Sequence, residues 1–74
     1  MIRFGERLRK LRHQQQCTQL ELGIRIGVAK STIAGYESGF REPSLSNIIL
    51  LAKAFEVSAD YLLGISKHPH NSNV

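Results

Sequence analysis

One cysteine, Cys17, is all that the 74 residues contain, so no intrachain disulfide can reinforce the core of so small a chain. Long apolar runs are missing as well. The basic N-terminus lacks the apolar segment of about 7–15 residues that an export signal needs, and no stretch approaches the ~20 residues of a membrane span. No nucleophile–base triad, cluster at metal-ligand spacing or phosphate-cradling glycine loop can be picked out. An enzyme is therefore not expected, nor is a metal, a cofactor or a small-molecule substrate. His13 and Cys17, four apart, lack a third group to orient them as base and thiol. His68 and His70 lack the further ligands of a metal site. The expectation is a reduced, soluble, cytoplasmic protein of one domain, held by helix packing and by dimerisation.

What is present begins with charge. The formal net charge is +4, with a pI near 9.7. The excess lies in residues 1–16, where Arg3, Arg7, Arg9, Lys10 and Arg12 face Glu6 alone. Such a balance favours a polyanionic partner without naming it.

Periodicity supplies the architecture. Residues 2–15 place Phe4, Leu8, Leu11 and Gln15 on one stripe at helical spacing, which predicts an amphipathic helix that includes Gly5. Arg12 lies just beside the stripe, within reach of an acidic group inside the fold. Cys17, between helices, is expected to be a small buried apolar residue. Thr18 and Glu21 form a T-x-x-E capping box, after which Leu22 and Ile26 repeat at i, i+4. Gly27 is placed to end that helix in the left-handed conformation. Val28, Ile33 and Tyr36 then anchor a second helix whose other face, Lys30, Ser31, Ala34 and Gly35, is small and polar. Helix, glycine turn, helix is the helix-turn-helix pattern.

Residues 37–43 read as loop, with Gly39 a stop and Pro43 barring helix before it. Ser44 caps a fourth helix whose apolar face is Leu45, Ile48, Ile49, Leu51, Ala52 and Phe55, ending at Val57. Ser58 caps a last helix, Ala59 to Leu63, stopped by Gly64. The expected fold is all-α: a compact five-helix domain over residues 1–65, with a frayed polar tail over 66–74.

The motif TQ-x-EL-x-x-x-IGV-x-x-STI-x-x-YE-x-G-x-x-x-PSL, followed by LAKAF-x-VS-x-DYLLG, resembles the Cro/cI-like (XRE-family) helix-turn-helix domain of phage and bacterial repressors. The match spans about residues 4–65. The resemblance implies a lambda-repressor-like fold whose third helix lies in the major groove of double-stranded DNA, where each base pair shows a distinct donor–acceptor pattern. It implies base contacts from Lys30, Ser31 and Gly35, and DNA backbone contacts from Gln19, Thr32 and Arg41. Arg12 and Glu37 match a buried structural salt bridge. The family's homodimer contact lies near the last helix, which makes Ala59, Tyr61 and Ile65 interface candidates.

Four departures mark this member. Ala29 stands where a Ser or Thr usually caps the recognition helix. Gly35 replaces a long polar reader, and Gly23 replaces a small Ala where two helices touch, which predicts a smaller, looser reading head carried mostly by Lys30. Leu20, Ile24 and Leu50 are apolar where the family is polar, and could form a surface for a protein partner. The implied function is sequence-specific operator binding as a transcriptional repressor or dual regulator. The alternative is an antitoxin-like or partner-controlled module of the same fold.

Overall fold

The computed structural model describes residues 4–69. Among them run five helices: α1 (Phe4–Gln14), α2 (Gln19–Ile26), α3 (Lys30–Ser38), α4 (Leu45–Phe55) and α5 (Ala59–Leu62). No strand occurs among the described residues, and no helix there is long and apolar enough to cross a membrane.

Three of the helices start at a capping side chain, α2 after Thr18, α4 after Ser44 and α5 after Ser58. The hydroxyls of Ser44 and Ser58 accept from the backbone N–H of Asn47 and Tyr61, three residues on, which satisfies a donor that the first helical turn leaves free. The ends differ slightly from expectation. The fourth helix stops at Phe55, two residues before Val57, because Glu56 turns into the left-handed region at φ 57° and its N–H caps the last carbonyls. The fifth stops at Leu62.

One core joins all five helices: Leu8 and Leu11 from α1, Leu22 and Ile26 from α2, Ile33 and Tyr36 from α3, Leu51, Ala52 and Phe55 from α4, Leu62 from α5, with Cys17 beside them. Two assignments are corrected. Leu45 and Ile49 are exposed, so the inner face of α4 is narrower than the run of apolar residues suggests. Gln15 is exposed past the end of α1, although its amide still donates to the Phe55 carbonyl at 3.2 Å.

Gly5 lets α1 approach the end of α3. A Cβ there would overlap the carbonyl oxygens of Tyr36 and Glu37. Residues 66–69, expected to fray, turn back on α5: the Ser58 N–H donates to the Pro69 carbonyl at 2.6 Å. His70 lies outside the described residues.

Candidate nucleic-acid interface

The α2–turn–α3 unit is built from local chemistry. The Thr18 hydroxyl accepts from Glu21 N at 3.0 Å and the Glu21 carboxylate accepts from Thr18 N at 2.8 Å, so the box closes in both directions. The Thr18 N–H, followed by its hydroxyl, holds the Glu21 carboxyl below its usual pKa. Gly27 takes φ 81°, and Val28 N donates back to the Gly23 carbonyl at 2.8 Å. The turn also packs closely on Gly23 itself. A Cβ there would stand 2.6 Å from the Val28 carbonyl oxygen, so glycine permits a tighter turn than alanine would. Ala29 precedes α3 with extended backbone and no side-chain cap.

A buried charge cluster fixes α3 against its neighbours. Arg12 Nε donates to Glu37 Oε2 at 2.6 Å and Nη2 to Oε1 at 3.1 Å, a two-point contact that matches the planar guanidinium. The side chains are 11% and 5% exposed. Arg12 Nη1 also donates to the Cys17 carbonyl at 3.0 Å. The hydrogen bond to Glu37 raises the Arg12 pKa further above its already high ordinary value, with burial acting against it. Gln19 joins the cluster, its amide donating to Glu37 Oε1 at 3.1 Å, which sequence reasoning missed because nothing in the spacing links positions 19 and 37.

That cluster changes how the N-terminal charge is used. Arg12 is neutralised inside the fold. Arg7 lies over the Tyr61 ring, 4.8 Å from its centroid, with its Nε buried and unpartnered. Of the arginines and lysines described in α1, Arg9 and Lys10 are the exposed ones.

On α3, Lys30 and Ser31 are exposed and Thr32 is half-buried. Lys30 borders a shallow depression with His13, Gln16, Thr18 and Gln19, so the starts of α2 and α3 share one surface. Gly35 departs from expectation. It is buried, because the Arg41 side chain lies across it: a Cβ on Gly35 would stand 3.0 Å from both Cγ and Cδ of Arg41. Arg41 N also donates to the Gly35 carbonyl at 3.1 Å. Gly35 thus presents no open surface of its own, and Arg41 occupies its place.

The dimer candidates divide in the same way. Ala59 and Tyr61 pack against the core, whereas Ile65 is 73% exposed. Leu20, Ile24 and Leu50 are exposed, as their departure from the family pattern predicts, and so is Phe40 in the loop after α3, at 85%.

A family model described as helix-turn-helix matches residues 8–62, from the middle of α1 to the end of α5. This chain belongs to the helix-turn-helix family. It is of the Cro/cI-like (XRE) kind that the motif resembles, a family of transcriptional regulators and repressors. The uncharacterized HTH-type transcriptional regulator YobD of Bacillus subtilis is 41% identical over 66 residues, 89% of this chain and 59% of YobD. The crystal structure of the P22 c2 repressor in complex with synthetic operator 9T shares 35% identity and a TM-score of 0.84, over 89% of this chain and 100% of that one; the repressor is from Salmonella phage P22. The SinR protein/SinI protein complex matches at 28% identity and TM-score 0.76, over 81% of this chain and 59% of that one. The chain spans about half the length of the curated relatives it matches.

Proposed function

We propose that this helix-turn-helix chain binds duplex DNA sequence-specifically as a transcriptional repressor, with α3 in the major groove and two copies on paired half-sites. The observation that carries this reading is the exposed start of α3, Lys30 and Ser31, on a helix whose far end is tied to α1 by the buried Arg12–Glu37 pair. A helix fits the major groove and its first residues reach base edges. Lys30 donates to guanine O6 and N7. Ser31 donates or accepts, and discriminates less. The likeness to an operator-bound P22 c2 repressor supports the same placement.

Phosphates are met by groups beside the readers. Gln19 lines the same depression as Lys30 and Thr32 follows two positions on along α3; an amide carries two N–H donors, so Gln19 keeps one for a phosphate while the other holds Glu37. The dimer contact falls to Ile65 more than to Ala59 or Tyr61, whose side chains serve the core. One module makes few base contacts, and half-sites about 34 Å apart double them.

The deciding experiment is selection of bound duplexes from a random library. Enrichment of a palindromic sequence is expected, with affinity falling steeply as salt rises. Failure to enrich any sequence overturns the reading. A second reading, an antitoxin-like or partner-controlled module, draws on exposed Leu20 and Ile24, one turn apart on α2, and on the likeness to SinR, solved with SinI.

A further inference from the structure

The face of α3 that carries Ser31 continues, one turn later, at Gly35, since positions four apart lie on one side of a helix. Gly35 brings no side chain to that place, yet the place is filled. The Cβ, Cγ and Cδ of Arg41 lie 3.3, 3.0 and 3.0 Å from where a Cβ of Gly35 would stand. The contact has a second anchor in the 3.1 Å hydrogen bond from Arg41 N to the Gly35 carbonyl. Both the root and the stem of Arg41 are therefore held against the helix.

Its head is free. Arg41 as a whole is exposed, and among the described residues the only ion pair is Arg12–Glu37, so the guanidinium of Arg41 is committed to no carboxylate there. We propose that Arg41, laid across Gly35, is a base-reading residue that takes the place of the side chain α3 lacks at that position, its guanidinium addressing a guanine edge next to the base met by Ser31. The inference rests on the reading of α3 as the groove helix and deepens it. A planar fork of N–H donors matches guanine O6 and N7 together, which an ammonium does not. A stem already packed on the helix also has less rotamer freedom to lose on binding, which favours a specific contact over a wandering phosphate contact. Gly35 then has a positive role: it is the floor that lets a loop residue reach over α3.

The test starts from the duplex selected with the unaltered chain and measures binding to all its single-base variants for Arg41→Lys, Arg41→Ala and Gly35→Ala. Circular dichroism confirms that each variant is folded. Arg41→Lys keeps the charge and loses the fork. It is expected to reduce preference at one base position by roughly 5- to 150-fold while preferences elsewhere stand. Gly35→Ala adds a methyl where the Arg41 stem lies, and is expected to weaken preference at that same position with Arg41 intact. A uniform loss over all variants for Arg41→Ala, with the salt slope shallower by about one and no change for Arg41→Lys, makes Arg41 a phosphate contact and overturns the inference. That outcome leaves the DNA-binding reading standing. Failure of the unaltered chain to select any duplex removes both.

Discussion

Arg12 and Glu37, 25 positions apart, meet through two hydrogen bonds of 2.6 and 3.1 Å in a site almost closed to water. The pair ties α1 to the end of α3, the helix whose start carries the exposed Lys30 and Ser31. Removing one partner strands the other's charge, so Glu37→Ala is expected to lower folding stability by about 3–5 kcal/mol. Urea unfolding measures it. A loss near the ~0–1 kcal/mol of an exposed pair would contradict the bracing role.

Glu21 sets an acid limb. Its folded-state pKa is depressed by the Thr18 N–H and hydroxyl, so its stabilising contribution is full above the unfolded value, near 4.5, and disappears as pH falls through the lower folded value. Glu21→Gln retains the acceptor oxygen of the box without the charge. The stability difference between the unaltered chain and Glu21→Gln is expected to shrink as pH drops from about 6 to about 3. A difference that stays constant over that range refutes the assignment.

Ala29 leaves the start of α3 without a side-chain cap, though its backbone already has the extended geometry of a cap, φ −72° and ψ 155°. Ala29→Ser needs no rearrangement and is expected to stabilise the domain by about 0.5–2 kcal/mol. Thermal unfolding reads this directly, and a lower melting temperature would be the wrong sign.

Lys30, exposed at the first turn of α3, is the residue proposed to meet a base edge there. Lys30→Ala is expected to relax preference at one base position by roughly 1–3 kcal/mol. Competition among single-base duplex variants gives the answer. Equal weakening of every sequence would move Lys30 from base edge to phosphate.

Leu20 and Ile24 present an apolar edge on α2, Ile24 at 71% exposure. Replacing both with serine is expected to reduce association measured by sedimentation if that edge is a partner surface. Unchanged association would leave them as two of the many exposed apolar side chains that soluble proteins carry.

Much of the fold was legible from local chemistry. The capping box at Thr18, the caps at Ser44 and Ser58, the turn at Gly27 and the stripes Leu8–Leu11 and Leu22–Ile26 are signals carried by residues within a turn or two of each other. For that reason they survive folding unchanged. The Arg12–Glu37 pair was legible only through the family resemblance, since neither charge alone says where the other will be. The width of the α4 face was not legible at all. Leu45 and Ile49 have the right spacing, but which of several apolar residues faces inward depends on where the neighbouring helices sit.

The sequence by itself thus determined five helices, the side-chain caps of three of them, and a family. Tertiary structure decided the rest. It drew Gln19 to Glu37 and Arg7 over Tyr61, so two groups that look free in the chain are engaged in the fold. It closed the turn tightly at Gly23. Above all it laid Arg41 over Gly35, converting an empty position on α3 into a seat for a side chain from the next loop. The physical reason is the same each time. Helix caps and periodicities are short-range and written in neighbouring residues, whereas the occupant of a vacant helix position is chosen by whichever distant segment packing brings beside it.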